Sequence, residues 1–249
     1  MVPDPGQEFV YHYTRASTAI EYIFPRMRLR LGSPADTNDP IEGLTAVSAA
    51  GGRNSSDRMG ALFAARDVVI GSRIACFSRD TPSSPGWQHH RMWAQYAEHH
   101  RGVCLCLDRR TLESNAEALE SERRKVIGRN VEYVDAVDHS LDMDALLAEG
   151  APSYVARYFR QHPRPRYFTK LTDWAGESEF RLLLTGGDNA SQYEFVTLVG
   201  ALRGVYVGAR FSQGYRVCIE ELCSRERIPA RQIDYMADLG WTNYFTPDP

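Results

Sequence analysis

The chain has little net charge, no long apolar run and no paired-cysteine motif, and each lack removes a class of function. It has 249 residues and a formal net charge of −3, so the whole-molecule field gives no drive toward nucleic acid or membrane. Only a local patch such as Arg157 to Arg166 could supply one. No stretch reaches the roughly 20 apolar residues of a membrane-spanning helix, and the N-terminal MVPDPGQEF has neither a basic region nor an apolar run, so no targeting segment is read there. The five cysteines, Cys76, Cys104, Cys106, Cys218 and Cys223, are odd in number and lack CxxC spacing. They lie in apolar or helical surroundings and read as reduced core residues. A soluble cytoplasmic protein with no membrane partner is expected.

Two further motifs are missing. Gly186-Gly187 is a lone pair in a turn, so none of the glycine-rich loops that cradle dinucleotides or phosphates is present. His89, His90, His99 and His100 do not give the i, i+4 pair of a helical zinc site, and no matching cysteines follow, so no metal site is expected.

The residues that are present suit a folded core, with 43% apolar and 11% aromatic side chains. Strands are predicted at Phe9–Tyr13, Met27–Leu31, Arg73–Ser78, Val103–Leu107, Asn130–Val134, Phe180–Leu184, Phe195–Leu198, Gly204–Gly208 and Gln232–Met236. Helices are predicted at Thr18–Phe24, Asp57–Val68, Trp87–His99, from near Arg110 with a charged stretch over Glu113–Arg124, over Asp142–His162 with a break at Gly150–Pro152, and at Ser212–Arg225. Turn formers dominate Gly32–Glu42, Gly51–Ser56 and Gly186–Ser191. Many short strands without strict alternation with helices, no repeat and no disordered linker give one α+β domain over residues 1–249 rather than a doubly wound sheet.

The chain is organised around Lys170–Leu184, KLTDWAGESEFRLLL, where acids and bases crowd one tryptophan before an apolar strand. In an extended chain Glu177, Glu179 and Arg181 share one face, with Phe180 on the other. Two carboxylates and a guanidinium on one wall separate their pKa values in the way that acid/base or cation-stabilising chemistry uses, and a salt-bridged strand end produces the same cluster. Elsewhere, His12 and Tyr13 end the first strand, Asn38 and Asp39 precede Pro40 in a turn, and Trp93 and Tyr96 lie three apart on one helix face.

The blocks HYT, NDPIE, IACFS, MWAQYAEHHRGVCLCLD, KLTDWAGESEFRL and GVYVGARFS, in that order, resemble an uncharacterised bacterial domain family of unknown function. A histidine ending the first strand and a glutamate entering a later one also resemble the H-Y-E layout of the ADP-ribosyltransferase fold, including DarT-like toxins and RNA 2'-phosphotransferases. Glu177-x-Glu179 is similar to the E-x-E of arginine-modifying members, which have arginine where this chain has His12.

This second resemblance implies a split mixed sheet with flanking helices and NAD as a substrate. Glu179 would stabilise the oxocarbenium-like transition state and hold a ribose hydroxyl, Glu177 would orient or deprotonate the acceptor, and His12 with Thr14 would bond the ribose, with Tyr13 also among the cofactor-binding residues. Ser78 and Tyr96 would line the nicotinamide pocket, Trp93 would be among the cofactor-binding residues, Asn38 and Asp39 would close over the adenosine, and Arg73 or Arg181 would meet the pyrophosphate. The acceptor is a protein, a nucleic acid, a small molecule or water. Two alternatives stand beside this one: a non-enzymatic nucleotide-binding sensor in bacterial defence or regulation, and a nucleic-acid-processing enzyme using Arg157–Arg166 as a basic arm.

Overall fold

The computed structural model describes residues 7–39, 49–50, 56–136, 141–186, 193–236 and 240–245. In its first half the strands are β1 (Phe9–Thr14), β2 (Arg28–Leu31), β3 (Ala49–Ala50), β4 (Arg73–Arg79), β5 (Val103–Asp108), β6 (Val126–Asn130) and β7 (Glu132–Val134). Then follow β8 (Leu141–Asp142), β9 (Thr169–Leu171), β10 (Glu179–Leu184), β11 (Glu194–Thr197), β12 (Leu202–Val207), β13 (Ala230–Met236) and β14 (Gly240–Phe245). Helices are α1 (Ala16–Thr18, extended by π and 3-10 turns to Arg26), α2 (Ser56–Ile70), α3 (His90–Gln95), α4 (Arg109–Glu117), α5 (Met143–Glu149), α6 (Ala151–Gln161) and α7 (Gln213–Arg225).

The fold is α+β, built on one mixed eight-stranded sheet in the order β14-β13-β12-β5-β1-β4-β10-β6. Alternation sorts its side chains into two faces. Val10, Phe77, Leu105, Phe180 and Leu182 join one core beneath the sheet. The other face carries two clusters, one around Tyr11, Tyr13, Trp87 and Trp93 and one in which α2, α5 and α6 pack Val69, Leu146 and Phe159 against Leu183.

The feature that positions the site is a missing stretch of ladder. β1 pairs with β5 over six residues and β4 with β10 over six, but β1 and β4 pair only at Val10↔Arg79 and Tyr11↔Ser78. Past Tyr11 the two strands diverge. Beside β4, Gly32 at the end of β2 exchanges both backbone hydrogen bonds with Ile74, each 2.8 Å. A cleft opens in the wedge.

Several sequence expectations change. The helix expected at Trp87–His99 is a 3-10 turn at Gly86–Gln88 followed by the short α3. It cannot continue, because Glu98, His99 and His100 take left-handed φ values of 48°, 53° and 68°. Gly102 ends that reversal, where a Cβ would lie 2.2 Å from the Thr14 carbonyl oxygen. The charged helix expected to reach Arg124 stops at Glu117, and the Glu120 carboxylate accepts from the Val126 backbone N–H beyond it. The strand expected at Asn130–Val134 is two strands, because Val131 N–H turns to the Glu179 carbonyl. Of the stretches expected to turn, Gly32–Glu42 is described as far as Asp39 and holds a 3-10 turn at Pro34–Asp36, whereas Gly51–Ser56 and Gly186–Ser191 lie mostly outside the described residues. Among the described residues no helix is long and apolar enough to cross a membrane.

Candidate functional site

Glu179 opens β10 and Arg181 follows on the same face, so the alternation expected for this pair holds. Arg181 is fully buried and donates Nε to Glu179 Oε1 at 2.8 Å and Nη2 to Oε2 at 2.9 Å. Its Nη1 donates to the Tyr167 carbonyl at 2.8 Å. Lys170 on β9 places Nζ 2.8 Å from Glu177 Oε2 and 3.1 Å from Glu179 Oε2, and 4.9 Å from the centre of the Trp174 ring.

Glu177 reaches the cluster by a different route from the extended chain expected for it. It closes a 3-10 turn, Thr172–Glu177, and Ser178 at φ 45° then reverses the backbone into β10. The Tyr96 hydroxyl donates to Glu177 Oε1 at 2.7 Å, and the Tyr133 hydroxyl accepts the Glu179 backbone N–H at 2.9 Å. Lys170, Glu177, Glu179 and Arg181 are all at most 3% exposed. A solvated strand end is therefore excluded. Such burial is tolerable because the two cations balance the two anions and every carboxylate oxygen has a donor.

Burial opposes ionisation of Glu179, but Arg181 and Lys170 outweigh it and hold the carboxyl below its ordinary value. Burial, then the charge of Glu177, raises the Tyr96 phenol well above its ordinary value, so it stays a donor. Burial likewise raises the Tyr133 phenol.

The cluster forms the floor of a cleft of about 820 Å³ that occupies the wedge between β1 and β4. His12 enters from the other side of the split, on the face of β1 opposite Tyr11 and Tyr13, its ring 5.7 Å from Phe77. Its Nδ1 lies 3.0 Å from the Cys76 carbonyl. That carbonyl can only accept, so Nδ1 carries the proton and a neutral ring leaves Nε2 as an acceptor. Burial lowers the His12 pKa, partly offset by this hydrogen bond. The imidazole thus stands where the β1–β4 ladder has ended.

Of the residues singled out from sequence, His12, Tyr13, Thr14, Asn38, Tyr96, Glu177, Glu179 and Arg181 line this cleft. Four do not. Arg73 sits at the far end of β4, donating to the Gly71 and Ser72 carbonyls. Trp93 is core, its Nε1–H bonded to the Trp87 carbonyl and its ring edge-on to Tyr13. Asp39 is buried away from the cleft. Ser78 is buried between Tyr11 and Glu179 in the ladder, with its hydroxyl unpartnered. Cys76 lines the cleft and Cys218 is exposed, so these two are not the core residues expected. The basic arm is not free either: Arg157 pairs with Glu149, Arg160 with Glu120 and Arg164 with Glu132, and Arg166 is buried.

Two partners had no role assigned from sequence. Lys170 was visible as a lysine spaced seven from Glu177, and Tyr133 carried no signal at all, since only the packing of β7 beside β9 brings it to Glu179. Among the described residues no group of three or more His, Cys, Asp or Glu could hold a metal ion.

Residues 92–182 match the model of a family described as Protein of unknown function (DUF2971). No curated protein and no solved structure shows significant similarity to the chain. The matched segment contains Tyr96, Lys170, Glu177, Glu179 and Arg181, so the whole floor of the cleft lies within it, while His12 and Asn38 lie outside it.

Proposed function

We propose that the cleft between β1 and β4 binds NAD and that the chain cleaves its nicotinamide–ribose bond, as a cytoplasmic NAD-dependent ADP-ribosyltransferase or NAD glycohydrolase. The observation that carries this reading is the convergence of His12, Tyr96, Glu177 and Glu179 on one cleft whose size falls within the roughly 300–1,000 Å³ of ligand pockets.

Nicotinamide leaves with the bonding electron pair, and the ribose becomes an oxocarbenium-like cation that a fixed carboxylate stabilises. In this reading the task falls to Glu177 rather than Glu179. Both oxygens of Glu179 are taken by Arg181, with Lys170 added at one, whereas each oxygen of Glu177 has a single donor and a lone pair left for a ligand. Glu179 holds Arg181 and Lys170 in place, His12 accepts from a ribose hydroxyl through Nε2, and Tyr96 flanks the nicotinamide. A nucleophile from protein, nucleic acid, a small molecule or water then attacks the ribose carbon and loses its proton.

The charge balance of the floor favours a second reading, a sensor domain that holds the same nucleotide without reaction. Titrating NAD into purified protein by calorimetry while measuring nicotinamide in the same sample, with and without cell lysate as acceptor, separates the two. Binding with release supports the enzyme, binding without release under either condition supports the sensor, and no binding removes both.

A further inference from the structure

The floor of the cleft is neutral, but its mouth is not. Arg28 and Arg30 lie two residues apart on β2, and alternation puts them on one side of the strand, where both line the cleft. Neither forms an ion pair among the described residues. Several arginines elsewhere do: Arg58, Arg109, Arg124 and Arg157 each meet a carboxylate within 2.8 Å. Arg28 and Arg30 are held by aromatic rings instead. The Arg28 guanidinium lies 3.8 Å over Phe195 and that of Arg30 lies 5.1 Å over Tyr193. Stacking fixes a guanidinium plane while leaving its N–H edges unspent. The Arg28 Nε is a buried donor with no partner, an arrangement that native proteins avoid unless something else accepts from it. Asp36, the carboxylate at this mouth, is exposed and pairs with neither arginine.

We infer that Arg28 and Arg30, backed by Phe195 and Tyr193, form a phosphate-binding subsite for the phosphoryl or pyrophosphoryl group of a nucleotide whose other end reaches Glu177. The inference rests on the nucleotide reading above and deepens it. It also replaces the two arginines expected for the pyrophosphate, since Arg73 lies outside the cleft and Arg181 has Nε, Nη1 and Nη2 all engaged. Planar guanidinium forks are the side chains best matched to phosphate oxygens.

The test is an affinity series with adenosine, ADP and inorganic pyrophosphate on the full chain, using wild type, Arg28→Met, Arg30→Met and the double variant, at two salt concentrations. Methionine keeps a flexible stem over the ring, and Arg30 is exposed, so its substitution spares the core and serves as the control for folding. Each single change is expected to weaken ADP and pyrophosphate about tenfold or more and leave adenosine unchanged, and the salt dependence of ADP binding is expected to flatten in the double variant. The subsite is overturned if wild type binds no phosphate-bearing probe, if adenosine binds as tightly as ADP, or if the variants bind ADP like wild type. ADP binding that needs both arginines, without nicotinamide release from NAD, supports the subsite and rejects cleavage. Release with an unchanged KM for NAD in the double variant rejects the subsite and leaves cleavage standing.

Discussion

Arg181 grips Glu179 through both carboxylate oxygens, at 2.8 and 2.9 Å, in a site almost without solvent. Removing one member of such a pair strands the other. Arg181→Met is expected to cost about 3–5 kcal/mol of stability, as loss of one partner from a buried ion pair does. Arg181→Met combined with Glu179→Leu leaves the neutral Lys170–Glu177 pair and is expected to recover much of the loss. A double-mutant cycle in urea reads the coupling, and additive losses would show that the two side chains act separately.

The Tyr96 hydroxyl is the link between α3 and the cluster. Tyr96→Phe removes one hydrogen bond to a charged acceptor and is expected to cost about 1–3 kcal/mol. It is also expected to slow nicotinamide release more than it weakens NAD binding, because Glu177 loses a group that fixes it. Equal changes in kcat/KM and binding would instead mark Tyr96 as a general binding contact.

The lowered pKa values of His12 and Glu179 make the fold sensitive to acid. The His12 pKa lies below 6.5 and the Glu179 pKa below 4.5 in the folded chain, while both return to ordinary values on unfolding. As pH falls the unfolded state takes up each proton first, so stability present above these ordinary values is lost as pH drops through the folded ones. Urea midpoints are expected to fall from near pH 6.5 downward and again below about 4.5. His12→Asn should flatten part of the first decline, to which His89 and His100, also lowered by burial, contribute in the same sense.

Gly102 sits between the left-handed turn and β5, against the end of β1. A methyl group there would lie 2.2 Å from the Thr14 carbonyl oxygen and 2.8 Å from the Ala97 Cα, both backbone. Gly102→Ala is expected to destabilise by about 1–3 kcal/mol through overpacking. Because Thr14 lines the cleft, it should also weaken NAD binding, which calorimetry on the folded variant would show.

The sequence was informative where the chemistry is local. KLTDWAGESEFRLLL disclosed the charged cluster, and strand alternation correctly joined Glu179 to Arg181. It could not disclose that Glu177 arrives through a left-handed Ser178, because a serine gives no warning of that backbone state. Nor could spacing reveal the divergence of β1 from β4, which depends on which strands pair between distant parts of the chain. The same limit hid Tyr133 and the arginines of β2. Arg73 was misplaced for a related reason: a strand has two ends, and the pattern did not say which one borders the cleft.

The measurement closest to the central claim is nicotinamide release from NAD by wild type, Glu177→Gln and Glu179→Gln, each shown to be folded. The expected result is release by wild type that Glu177→Gln abolishes, with Glu179→Gln impaired less in rate but more in stability. Release that survives Glu177→Gln, or its absence from wild type with every acceptor supplied, would contradict the account.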